Sequence, residues 1–291
     1  MSQQDLAIRA MNKDRTVRVV LARTTNLVEE ARHRHNTTPT ATAALGRVLT
    51  AGVMMGLELK GKESVTIRIN GGGPLGTILA VADSEGTVRG YVFDPTVEPP
   101  VKAPGKSDVG AAVGTEGLLE VTRDMGLKAP FVGTVPLVSG EIGEDLAHYF
   151  TYSEQVPSLV SLGVLVDRDY TVAAAGGLFV QALPGADMEV LRVLEDQVLE
   201  MGTISSLIKS ESNLEAIFER VFGEIEYDVL ASREVAFQCH CSHEKVVAIL
   251  KMLTPEDIEK ALESQGLVEV NCNFCNETYQ FNKEEVETLR R

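Results

Sequence analysis

Apolar and polar positions along the chain alternate with two different periods, and the change of period divides it. Residues 15–23 alternate with a strand period, and a polar helix follows over about Asn26–His35. Thr38-Pro39 then opens a longer helix to about Leu59, dense in Ala, Gly and Thr, which predicts close packing against a sheet or another helix. Strand patterns return at Ser64–Ile69, Thr77–Ala82, Thr87–Phe93, Leu118–Thr122 and Pro130–Val138. Residues 94–116, rich in Pro, Gly and Lys, predict a long loop. A helix runs from Ser139-Gly140-Glu141 to about Tyr152, and Ser158–Val166 with Tyr170–Leu183 predicts an antiparallel pair. Runs of strands beside separate helices, without strict alternation, give an α+β fold.

Pro184-Gly185 marks a boundary, beyond which the pattern becomes helical and acidic. Leu191, Leu194, Val198 and Met201 form one apolar stripe, and Leu214, Ile217, Phe218, Val221 and Phe222 form another. Each helix is apolar on one side only, so each must cover apolar surface, and the N-terminal domain offers it. The expected organisation is an N-terminal α+β domain (1–182), an acidic helical linker (183–234) and a small C-terminal domain (235–291).

The last segment contains the chemistry. All four cysteines of the 291-residue chain fall there: Cys239, Cys241, Cys272 and Cys275. Zn²⁺ bound tetrahedrally by four thiolates is the common explanation. In an extended strand the i, i+2 pair Cys239/Cys241 projects both sulfurs to one face, and Cys272/Cys275 has the spacing of a turn that brings two thiols to one point. Four unconnected thiols or a disulfide framework explain the pattern less well. His240 and His243 are read as solvated neighbours, not ligands. Between the pairs, Ser242 caps a helix, Thr254-Pro255-Glu256-Asp257 opens a second that stops at Gly266, and Asn282 with Glu285 predicts a capped final helix. Leu267–Val270 and Thr278–Phe281 flank the second cysteine pair as strands. A unit this small has a thin core, and metal binding supplies roughly 10–16 kcal/mol to such units. It is expected to fold with zinc and to be largely unfolded without it.

The net charge is −15. Residues 184–291 hold 22 acidic and 10 basic side chains, against 20 and 17 in residues 1–183. That balance argues against nucleic acid as the partner, because a phosphate-binding surface needs clustered Lys and Arg. The first residues have no apolar h-region, and Val48–Leu57 is too short to span a bilayer, so a cytoplasmic protein without a membrane partner is expected. Asn70–Gly76 is glycine-rich but lacks the endings of a phosphate-binding loop and is read as a hairpin turn. No catalytic constellation with informative spacing appears, which leans away from an enzyme.

With Cys239-His240-Cys241-Ser242 and Cys272-Asn273-Phe274-Cys275 in view, the chain resembles, over essentially its whole length, the redox-regulated thirty-three-kilodalton heat-shock proteins. Supporting stretches are Pro39–Arg47, Asn70–Gly76, Val138–Asp145 and Ser153–Ser158. The resemblance implies an ATP-independent holdase, off when the four cysteines hold one zinc and on when oxidised. It implies disulfides between Cys239 and Cys241 and between Cys272 and Cys275, with release of the metal. It further implies unfolding of the C-terminal domain and linker, binding of unfolding client proteins, and a homodimer in the active state. Leu191, Leu194, Val198, Phe218 and Phe222 are then lid candidates. Cys239 and Cys241 share a strand face, so their closure needs the strand to bend, and Cys272–Cys275 is expected to close first. Two other classes are weighed against this: a zinc-ribbon adaptor for protein or nucleic acid, and a thiol oxidoreductase.

Overall fold

A computed structural model describes residues 3–99, 107–211 and 213–289. Packing divides the chain into two compact units, Met1–Phe237 and Gln238–Arg291. The first opens with β1 (Leu6–Asn12), β2 (Val17–Arg23), α1 (Thr25–His35) and α2 (Pro39–Gly56). It continues with β3 (Ser64–Asn70), β4 (Ile78–Asp83), β5 (Thr87–Val92) and α3 (Val109–Val113). Next come β6 (Leu118–Asp124), β7 (Phe131–Pro136), α4 (Gly143–Tyr152), β8 (Ser158–Val166) and β9 (Val172–Ala182). The helices α5 (Met188–Glu200), α6 (Ile204–Ser210) and α7 (Leu214–Phe222) precede β10 (Tyr227–Glu234) and the two-residue β11 (Ala236–Phe237). In the second unit lie α8 (His243–Leu250), α9 (Pro255–Gln265), β12 (Leu267–Asn271), β13 (Thr278–Asn282) and α10 (Lys283–Leu289).

The first unit is α+β and holds two sheets, ordered β10-β1-β2-β9-β8 and β11-β5-β4-β3-β6-β7. Helix α2 packs against strands of both, and all but two of its 18 residues are buried. Its composition explains how it fits there. Thr38 caps it and Pro39 supplies the first turn. At Gly46 an added Cβ would stand 2.6 Å from Val28 Cγ1 and 2.8 Å from Val164 Cγ2, so glycine is what allows this approach. Its hydroxyls find partners inside: Thr50 Oγ1 lies 2.7 Å from Thr24 Oγ1 and donates to the Gly46 carbonyl.

The other face of the first sheet is covered by the linker helices. Ile8, Ala10, Val17, Val19, Leu21, Leu178 and Val180 form one cluster with Leu194, Val198, Ile217, Phe218 and Phe222. One element is added to the sequence reading and two expectations are corrected. β1 is a strand that the N-terminal pattern did not reveal, because its apolar positions are interrupted by Arg9 and end at Asn12. The region 183–234 is not helical throughout: Tyr227–Glu234 pairs antiparallel with β1, so its last eight residues are sheet. The proposed loop 94–116 contains α3, while residues 100–106 lie outside the described residues.

Asn70–Gly76 does join two antiparallel strands, β3 and β4, but it is more than a turn. Gly73 and Leu75 donate backbone N–H groups to the Val113 and Ala112 carbonyls at 2.9 and 3.1 Å. Those amides are therefore engaged by α3 and are not available to a phosphate.

The N-terminal end of α1 is closed by the buried Asp5, whose carboxylate accepts from the Leu27 N–H at 2.7 Å and from Asn26 Nδ2. Burial raises its pKa to about 6, against which the backbone donors and Arg23 act. A carboxyl raised in the folded state favours folding when protonated. Its contribution is therefore fully present below the ordinary value of 3.8 and is lost as pH rises from there through about 6, a change of roughly 3 kcal/mol. We expect denaturant unfolding to show this decline between pH 4 and 6, and Asp5→Asn to flatten it.

Candidate metal centre

The second unit is built around its sulfurs. Its apolar core is thin, with Val246, Leu250, Ile258, Val268, Phe281 and Val286 as the buried members. Local signals set each helix: Ser242 Oγ accepts from Lys245 N–H, and Thr254 Oγ1 accepts from Asp257 N–H with Pro255 in the first turn. Gly266, at φ 74°, ends α9, and Asn282 and Glu285 exchange side-chain-to-backbone bonds of 3.0 and 2.8 Å at the start of α10.

Strands β12 and β13 pair antiparallel and are joined through Cys272–Glu277. Cys272 N–H donates to the Glu277 carbonyl, while the Cys272 carbonyl accepts from Asn276 and Cys275. Asn276 takes φ 57°, a left-handed conformation that asparagine tolerates. This turn holds the Cys272 and Cys275 sulfurs on one side. The other pair sits differently from the sequence expectation. Cys239 and Cys241 follow β11 on irregular backbone, not on a strand. The argument that a strand must bend before these two can join, and with it the order of oxidation, therefore loses its basis.

All four sulfurs lie within 4.8 Å of one another. Two of the approaches cross between the pairs: 3.7 Å for Cys239–Cys272 and 3.3 Å for Cys241–Cys275. Tetrahedral ligation at about 2.3 Å per Zn–S bond requires sulfurs about 3.8 Å apart, so this donor set fits one such ion. Among the described residues only thiols enter the group. His243 instead packs its ring against Phe281, with centroids 5.2 Å apart.

The sulfurs are not equivalent. Burial pushes the Cys239 and Cys275 thiols up, partly offset by the backbone N–H groups of Cys241 and Glu277. Burial acts on Cys241 too, yet its thiol lies below the ordinary value, because Tyr279 Oη, at 3.3 Å, and the neighbouring sulfurs hydrogen-bond to it. Sequence spacing could not single out Tyr279. It becomes a partner of the centre only through the pairing of β12 with β13.

The lid candidates lie in the first unit. Leu194, Phe218 and Phe222 are fully buried, Val198 nearly so, and Leu191 partly, all in the cluster over the first sheet. Phe222 stacks on Tyr227 at 4.4 Å between centroids, which ties α7 to β10.

A sequence profile for the family described as Hsp33 protein matches residues 5–282. The chain belongs to the Hsp33 family. It is 50% identical over 286 residues to the 33 kDa chaperonin of Desulforamulus reducens, covering 98% of this chain and 97% of that one. It is 46% identical to the 33 kDa chaperonin of a Geobacillus strain over 99% of its length and 97% of the relative's. The crystal structure of the Thermotoga maritima 33 kDa chaperonin superposes with a TM-score of 0.92 at 41% identity, covering 99% and 98% of the two chains. The chain is thus a chaperone of the Hsp33 type, and no helix among its described residues is long and apolar enough to cross a membrane.

Partners that hydrogen-bond to a ligand sulfur tune a metal site, and their loss weakens binding. Tyr279→Phe should lower metal affinity roughly tenfold, measured by competition with a chromogenic chelator, with the fold of the loaded protein unchanged.

Proposed function

We propose that the protein is a redox-switched holdase that binds unfolding proteins without ATP under oxidative and heat stress. The observation that carries this reading is a four-thiol cluster placed in a unit whose own core is too small to stabilise it. One zinc, held by Cys239, Cys241, Cys272 and Cys275, would keep the sulfurs as thiolates and close the unit. Oxidation by a peroxide removes two electrons from each of two cysteine pairs. Each pair forms one S–S bond and each peroxide is reduced to two waters. Sulfur committed to a disulfide no longer ligates a cation, so the metal leaves and the unit loses its fold. The proposed disulfides are Cys239–Cys241 and Cys272–Cys275.

In this reading residues 1–182 bind clients, 183–234 form the cover and 235–291 form the switch. The linker's place in the fold supports the middle role. Its helices bury apolar side chains against the first sheet while their outer faces carry acid, so their departure would expose apolar surface on an otherwise soluble unit. β11, which leads directly into the cysteines, holds its sheet by only two residue pairs. Acidic residues over the C-terminal third fit protein clients better than nucleic acid. The active form is taken to be a cytoplasmic homodimer acting as a binding protein, not an enzyme.

Three outcomes test the reading. X-ray absorption of the reduced protein should give zinc with four sulfurs at about 2.3 Å; a nitrogen in the shell would replace a cysteine by His240 or His243. Peroxide at heat-shock temperature should release the metal, raise the mass to that of a dimer and suppress aggregation of an unfolding enzyme in the same time course. Retention of zinc, with target binding in the reduced state, would instead mark an adaptor. Finally, Phe218→Glu or Phe222→Glu places a charge in a closed apolar contact at a cost of several kcal/mol. The reduced, zinc-loaded variants should suppress aggregation without oxidant, as followed by light scattering, while the native reduced protein stays inactive.

A further inference from the structure

Of the four edges of the two sheets in the first unit, β8 is the unusual one. β10 carries Asp228, Arg233 and Glu234, β11 is two residues long, and β7 ends in Pro136. Such features keep exposed edges from pairing with other chains. The nine residues of β8, Ser158–Val166, include no charge and no proline. It is the last strand of its sheet, half-buried, and borders a cleft of about 780 Å³.

The direction of its backbone groups follows from the ladder. Ala182 N–H donates to the Pro157 carbonyl at 2.9 Å, and Thr24 N–H donates to the Ala175 carbonyl on the opposite side of β9. With Ser158 opposite Gln181, alternation turns Leu159, Ser161 and Gly163 toward β9. Val160, Leu162 and Val164 present their N–H and C=O groups outward. Gly143 lies along the first part of this edge, where its ideal Cβ would stand 3.4 Å from the Val160 carbonyl oxygen and 3.9 Å from the Leu162 nitrogen. Among the described residues no backbone group bonds the outward rungs at Leu162 and Val164. The side chains of Leu162 and Val164 pack toward the α2 core. On the opposite face stands α6, seated on Gly163, where a Cβ would meet Ser205 N at 2.9 Å and Ile204 Cγ2 at 3.0 Å.

We propose that the β8 edge at Leu162–Val166 is a docking site for an extended segment of an unfolded client, which adds to the sheet as a further strand. Alternating donors and acceptors that have no partner among the described residues specify an extended backbone of any sequence. The strand itself is uncharged, and the cleft beside it combines the apolar Val160, Leu162 and Val164 with the charged Arg47, Glu98, Glu141 and Glu144, so that the strand backbone more than the side chains selects the segment. The cleft is also continuous with the lid: α6, one of its walls, belongs to the linker cluster over the same sheet. Departure of the linker would therefore widen this edge. The site rests on the holdase reading and names where its substrate binds.

The test uses the oxidised full-length protein and reduced, carboxymethylated lactalbumin as a permanently unfolded probe. Amide exchange followed by NMR should show the Val164 N–H protected at least tenfold by the probe, with the exposed amides of β7 unchanged. Val164→Pro removes the outward N–H but no bond to β9, and Val164→Ala trims the side chain and keeps the N–H. Val164→Pro should bind the probe at least tenfold more weakly than Val164→Ala, with both folded by circular dichroism. Probe binding without protection at Val164 would overturn the site and leave the holdase reading standing. Protection that grows with protein concentration in the absence of probe would overturn it in favour of pairing between two copies. Failure of the oxidised native protein to bind the probe would overturn the holdase reading, and the site with it.

Discussion

Four sulfurs gathered within 4.8 Å, as here, form an arrangement that apolar packing in a small unit does not sustain. As thiolates they repel one another; as thiols they are weak hydrogen-bonding groups held in partly buried positions. A cation resolves both problems, because it neutralises the charge and replaces repulsion by bonds. The surrounding unit is arranged around that requirement. Its helices have capping residues at their starts, its single hairpin supplies the turn of the second cysteine pair, and its buried core is small. In the proposed reading stability and redox chemistry are then the same property of this unit: whatever removed the sulfurs from a cation would remove the fold.

The first unit follows a different logic. Its centre is a helix enclosed by two sheets, stabilised by close packing at Gly46 and by internal hydroxyl bonds that leave its threonines satisfied. Nothing in that arrangement needs a metal. On the far side of the first sheet, α5 to α7 cover apolar side chains that a stable core alone would not have to leave coverable. Stacking of Phe218 and Phe222 with Tyr227 links this cover to β10, and so to the chain that leads into the cysteines. The proposed switch would rest on such a division between a well-packed unit and one with a thin core.

By itself the sequence determined what depends on local physics. The cysteine spacing identified a four-sulfur centre. Helix caps at Ser242, Thr254 and Asn282, the stop at Gly266, the two stripes of the linker and the antiparallel pair of β8 and β9 were all legible, because each is written in residues close together in the chain. Tertiary structure decided what depends on residues far apart. The burial of α2 on all sides, the pairing of Tyr227–Glu234 with β1 and the engagement of the glycine-rich loop by α3 come from contacts across tens to hundreds of positions, where local periodicity carries no signal. The same holds for Tyr279 at the Cys241 sulfur and for the open rungs of β8. A hydrogen bond to a sulfur needs a strand register, and an edge exists only once the order of strands in the sheet is fixed.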